Sequence, residues 1–146
     1  MYFVDRQRIE EMLTLIEEDT AIFKGQLNWG TNIEKLALER IVYIIIESIL
    51  DVGNAMIDGF IMRDPGSYED IIDILLDEKV ISSEDEGPLK AIISYRKSLV
   101  QNYLYIDHTA IIDGMTMQLP ILERFPKKVR QYLDNELGPI SAFIPS

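Results

Sequence analysis

The sequence predicts an all-α fold, an antiparallel four-helix bundle with one additional short helix. Apolar residues recur every three or four positions through four long segments, turn and cap signals separate those segments, and no stretch of useful length alternates with period two. With 146 residues, 47 % of them hydrophobic, the chain is long enough to bury one sizeable core, and a single domain spanning 1–146 is expected.

The first helix is expected from about Asp5 to Lys24, where Ile9, Met12, Leu13, Ile16, Thr20 and Phe23 share one face and Glu10, Glu17 and Glu18 lie opposite in solvent. Gly25 to Asn32 breaks it. A long second helix follows from about Asn32 to Ile61 and is apolar on most of its circumference. Its exception is a stripe of Arg40, Tyr43, Glu47, Asp51, Asn54 and Asp58, spaced by threes and fours and confined to an arc of about 80° at helical periodicity. Such a helix is central and buried, so the stripe faces a cleft, a subunit interface or a site, or simply meets solvent.

Arg63-Asp64-Pro65-Gly66 forces a turn, and Ser67 with Asp70 caps a short helix ending near Glu78. Asp70, Asp73 and Asp77 form its outer face, read as a solvated acidic surface because no glycine-containing liganding loop accompanies them. Ser83 and Glu86 have capping-box spacing and Pro88 suits a first turn, which starts the next helix near Glu84. The last helical region runs from about Thr109 to Glu136 with Pro120 kinking or interrupting it, before Gly138-Pro139 releases a short apolar tail.

Within the helix that begins near Glu84, the segment Tyr95 to Tyr103 sets a guanidinium into an apolar stripe. At 100° per residue Leu89, Ile92, Ile93, Val100 and Tyr103 fall within about 60° of Arg96, so Arg96 is expected to point inward. An arginine stays charged, and leaving it unpaired inside a protein costs several kcal/mol. Arg96 must therefore meet carboxylates, of which Glu47 and Asp51 are the candidates, or a partner subunit, or an anionic ligand.

Composition excludes several chemistries. No cysteine is present, so disulfides, thiolate metal sites and cysteine nucleophiles are ruled out. Neither a signal-peptide layout at Met1 nor an apolar run near 20 residues occurs, and the default expectation is a cytoplasmic protein without membrane contact. The net charge of −11 argues against a broad nucleic-acid surface while leaving room for a local site. Besides Arg96 and Lys97, the basic residues cluster at Arg124, Lys127, Lys128 and Arg130, read as the polar face of the last helix. Glu47, Asp51 and Asp58 lack a clustered histidine, so no metal and no cofactor are expected.

The segment Arg96-Lys97-Ser98-Leu99-Val100-Gln101-Asn102-Tyr103 resembles the R-x4-H-x-Y signature of the HepT-like branch of the HEPN superfamily. Ala37-Leu38-Glu39-Arg40, Glu47, Asp51-Val52-Gly53-Asn54 and Met56-Ile57 are similar to that family's second helix, and the Arg63-to-Tyr68 turn matches as well. The resemblance covers most of the chain. It implies a HEPN-like helical homodimer whose motif helices meet at a cleft, with a metal-independent ribonuclease site. It also implies a toxin paired with a minimal nucleotidyltransferase antitoxin that modifies the motif tyrosine with AMP. Carried across, Arg96 matches the phosphate-binding arginine and Tyr103 the AMP acceptor, while Glu47, Asp51 and Asn54 form a supporting polar stripe. Two positions depart from the pattern: Gln101 stands at the histidine, and Lys97 where asparagine is common, adding positive charge for phosphate or RNA.

The first departure has chemical weight. Cleavage of RNA by its own 2′-hydroxyl needs one proton removed and another delivered, work an imidazole performs and an amide does not. Gln101 is left with orienting a phosphate or a water, and cleavage is expected to be weak or lost unless another group substitutes. The sole histidine, His108, lies twelve residues beyond Arg96, about 18 Å away along a continuous helix, and so is no direct replacement within that helix; its remaining route to the site is across a dimer axis, and a lone histidine near a helix start is more often a surface or capping residue. Three readings stand open: a HepT-like ribonuclease, a noncatalytic dimer binding a nucleotide, RNA or protein, and a structural role in which Glu47 or Asp51 satisfies Arg96.

Overall fold

The computed structural model describes residues 2–138, and the apolar tail expected beyond Gly138-Pro139 lies outside them. Six helices run in the order α1 (Arg6–Gly25), α2 (Asn32–Gly59), α3 (Tyr68–Asp77), α4 (Ser83–Val100), α5 (His108–Met117) and α6 (Leu119–Leu137), with no strand among the described residues. The four long helices are those the sequence predicts. The last helical region is interrupted beside Pro120, one of the two outcomes expected there: Pro120, lacking an N–H, fits the first turn of α6 and the chain breaks at Gln118.

Helix α2 is the axis of the bundle, packed by α1, α3 and α4. Leu38, Val42, Ile45, Ile46, Ile49, Val52 and Met56 are completely buried along it. Its start is fixed by a reciprocal capping box, Thr31 accepting from the Glu34 N–H at 3.1 Å while Glu34 accepts from the Thr31 N–H at 2.9 Å. Helix α1 buries Ile9, Leu13, Ile16, Thr20 and Phe23, as its spacing predicts. Gly53 lets α3 close on α2, since a Cβ there would stand 2.4 Å from Ile71 Cγ2. Gly114 does the same for α5 against α4, because a Cβ would lie 1.6 Å from the Tyr95 hydroxyl.

Several acidic and basic residues read as solvated faces form ion pairs between neighbouring elements. Arg130 of α6 binds Glu10 and Glu17 of α1, each at 2.8 Å. On α3, Asp70 and Asp77 receive Arg63, and Asp73 receives Lys90 at 2.7 Å. The α4 cap sits one residue earlier than the sequence suggests: Asp85, not Glu86, accepts from the Ser82 N–H and hydroxyl, both at 3.0 Å. Asp85 is the reason, because it is fully buried and holds Arg124 at 2.9 Å as well as Lys128.

Burial alone would raise the Asp85 carboxyl, yet the hydrogen bonds from Lys128, Arg124 and Ser82 outweigh it and bring the pKa down to about 2. A depressed carboxyl contributes stability above its unfolded pKa of about 3.9 and loses it as pH falls through its folded value. Asp85→Ala is accordingly expected to cost about 3–5 kcal/mol near neutrality, the cost of leaving a buried ion pair broken. Urea unfolding at pH 7 and through the range from about 4 to about 2 checks both parts, the variant losing less stability than wild type across that acid window.

Candidate functional site

Arg96 lies four residues before the end of α4, where side chains of α2 and α3 converge on it. Its Nε donates to Glu47 Oε1 of α2 at 2.6 Å, and its Cζ lies 4.6 Å from the centroid of the Tyr68 ring, the first residue of α3. The pair is half-buried, with side-chain exposures of 23 % for Arg96 and 28 % for Glu47. The Glu47 hydrogen bond holds the Arg96 pKa above its ordinary value. No other hydrogen bond leaves the guanidinium among the described residues, so the two terminal nitrogens keep their donors. Such an arginine is fixed in direction by a carboxylate and an aromatic face, with a forked edge suited to phosphate or carboxylate oxygens.

The expectation that Arg96 points inward is met only in part: it borders the protein and is satisfied at Nε by Glu47. Asp51, the other candidate carboxylate, is exposed, as are Arg40, Asn54 and Asp58, so this stripe forms open surface on the single chain, with Tyr43 and Glu47 half-buried within it.

Beyond Arg96 the helical projection fails. Helix α4 ends at Val100, Gln101 is its C-cap, and the N–H groups of Gln101 and Asn102 both return to the Lys97 carbonyl, at 2.9 and 3.0 Å. Residues 101–105 turn away, leaving Val100 40 %, Tyr103 64 %, Leu104 77 % and Tyr105 92 % exposed. Val100 and Tyr103 therefore do not belong to an inward stripe. The physical reason is at the other end of the turn, where Asp107 caps a new helix by accepting from the Ala110 N–H at 3.0 Å. Lys97 and Gln101 are exposed, and the structure brings neither into hydrogen bonding with Arg96.

Two contacts escaped sequence reasoning, that of Tyr68 with Arg96 and that of His108 with Glu39. Tyr68 could be placed only at the start of a short helix, and nothing local says that its ring meets Arg96. His108 opens α5, and its Nε2 lies 2.7 Å from Glu39 Oε2 of α2, half-buried at 22 % exposure. The break at 101–107 folds it back onto the central helix instead of carrying it 18 Å onward. Among the described residues no group of three or more His, Asp and Glu side chains is arranged to hold a metal ion, and no helix is long and apolar enough to cross a membrane. A groove of about 470 Å³ lies elsewhere, lined by Lys79, Ser82, Lys128 and Tyr132 among others, and includes none of the motif residues.

A sequence profile of the family described as Ribonuclease HepT-like matches residues 8–129. The chain belongs to the HepT-like ribonuclease family. A relative from Bacillus subtilis (strain 168), named "Putative RNase YutE", is 52 % identical over 143 residues, covering 98 % of this chain and 99 % of that protein. A solved structure, "Structure of Cytosolic Protein of Unknown Function YutE from Bacillus subtilis", superimposes with a TM-score of 0.94 at 52 % identity, covering 98 % of this chain and all of that one. The HepT-like fold is thus the all-helical bundle expected from the sequence.

The worth of the Arg96–Glu47 pair is measurable. Urea unfolding of Arg96→Ala, Glu47→Ala and the double variant is expected to give a coupling of about 1–2 kcal/mol, as for neighbours in one charge pair. Additive effects would show that the two side chains do not support one another.

Proposed function

We propose that the protein is a HepT-like ribonuclease acting as one unit over residues 1–146 and as a homodimer. Arg96 binds the scissile phosphate through its terminal nitrogens, and Lys97 adds positive charge at the rim. The observation that carries this reading is the arrangement of Arg96, tethered at Nε and with its outer fork unpartnered among the described residues. A donor preorganised in this way acts on charge developing at the phosphate, an effect commonly worth about 10²–10³-fold per donor.

Gln101 stands where the family motif has histidine and is exposed at the α4 C-cap, where it orients phosphate or water by hydrogen bonding. Tyr103 is the AMP acceptor in this reading; its 64 % exposure leaves it open to a transferring enzyme. The partner of such a toxin would be a minimal nucleotidyltransferase antitoxin. Asp51 and Asn54, exposed beside Glu47 on α2, support the site's outer surface.

The replacement of imidazole by amide at Gln101, together with the net charge of −11, favours a second reading: a dimer that binds a nucleotide or RNA without cutting it. One assay separates the two. With a mixed-sequence RNA substrate, wild type is expected to cleave slowly, Arg96→Ala to lose at least about 10²-fold, and Gln101→His to gain at least about 10-fold, within the range known for general acid–base catalysis. Retained RNA binding with no cleavage by wild type or Gln101→His contradicts the ribonuclease reading and supports the binding module.

A further inference from the structure

Charge alone gives RNA little hold on this protein. For a single strand each neutralised phosphate adds a slope of about −0.7 to the dependence of log K on log salt, so Arg96 and Lys97 together supply only about −1.4. The rest of the chain, with a net −11 overall, opposes a polyanion. Affinity at Arg96 therefore needs a neighbouring contact that does not depend on charge.

Among the described residues the Arg96 guanidinium lies over one aromatic ring, that of Tyr68, which is still 50 % exposed. This exposed ring is held still. Tyr68 opens α3 directly behind the Ser67 cap, whose hydroxyl accepts from the Asp70 N–H at 3.0 Å. Asp70 in turn accepts from the Gly66 N–H at 2.8 Å and from both terminal nitrogens of Arg63, at 2.8 and 2.9 Å. The backbone is thus braced on both sides of Tyr68, and little of its freedom is left to lose on binding. Tyr103 and Tyr105 are more exposed, but they stand in the 101–105 turn and neither ring lies under a guanidinium.

We infer that Tyr68 is the residue on which a nucleobase stacks when Arg96 holds the adjoining phosphate, an inference that rests on the ribonuclease reading. The guanidinium covers one part of the ring, and the base takes the part left open. With the ring centroid only 4.6 Å from the arginine Cζ, one nucleotide spans from a phosphate at the terminal nitrogens to that open surface. Every base has a π-face, so the contact selects an unstacked base without reading its identity. Tyr68 binds substrate in this role and takes no part in proton transfer.

The test compares binding of a short, cleavage-resistant 2′-O-methyl oligoadenylate with that of the same sugar–phosphate chain lacking its bases, using the full-length protein. Wild type is expected to bind the oligoadenylate at least about 10-fold more tightly, within the range that base–aromatic stacking supplies. Tyr68→Leu is expected to lose about that factor on the oligoadenylate and far less on the abasic chain, while Tyr68→Phe, which keeps the ring, binds both as wild type does. A Tyr68 that only props Arg96 would weaken both ligands equally on replacement by leucine, and that outcome overturns the inference. A single 2-aminopurine, placed at each position in turn of the otherwise abasic chain, gives a readout that needs no variant. Its fluorescence is expected to be quenched on binding to wild type, and a bound chain that stays bright at every position overturns the inference alone. Oligoadenylate that does not bind, or binds Arg96→Ala as well as wild type, overturns the role of Arg96 in the ribonuclease reading and this inference with it.

Discussion

Arg96 behaves as it does because one carboxylate takes one of its nitrogens. Had α2 offered a bidentate partner, the guanidinium would be neutralised and its hydrogen-bonding capacity largely spent inside the protein. Glu47 instead meets Nε alone, and the Tyr68 ring supports the planar face, so direction is fixed while the outer fork stays available. Both supports come from helices whose own placement is secured elsewhere. Helix α2 is clamped by an apolar core on most of its circumference, and α3 is drawn against it at Gly53. The geometry at Arg96 is therefore a consequence of core packing, not of a local loop.

Charge is distributed to the same end. The chain carries a net −11, yet its cations are not spread over the surface as a polyanion-binding face. Arg130 joins α6 to α1, Arg124 and Lys128 hold the buried Asp85 at the start of α4, and Lys90 ties α4 to α3. These pairs fix the three helices that pack on α2 and leave Arg96 and Lys97 as the motif's own positive charge. In the proposed reading an acidic protein built this way meets RNA through a small site, with long-range electrostatics opposing a broad contact.

Much of the fold was legible in the sequence because the apolar spacing of α1, α2 and α4 is dense and their caps are chemically distinct. Ile9 through Phe23 and Leu38 through Met56 report burial directly, since water exclusion acts on every turn. The site was harder to read. Projection on a helical wheel assumes that the helix continues, and the assumption fails at Gln101, where no apolar packing sustains another turn and Asp107 caps a new helix. Tyr103 was misplaced for that reason. The partnership of Glu39 with His108, separated by 69 positions in sequence, and that of Tyr68 with Arg96 depend on tertiary approach alone, and no local pattern encodes them.

The most direct test of this account is the NMR signature of the Arg96 side chain during titration with a short, cleavage-resistant 2′-O-methyl RNA. The account predicts that the terminal guanidinium resonances of Arg96 shift and sharpen on binding while the Nε–H resonance stays near its free-state position, still held by Glu47. Saturating RNA that perturbs other residues and leaves every Arg96 resonance unmoved would contradict it.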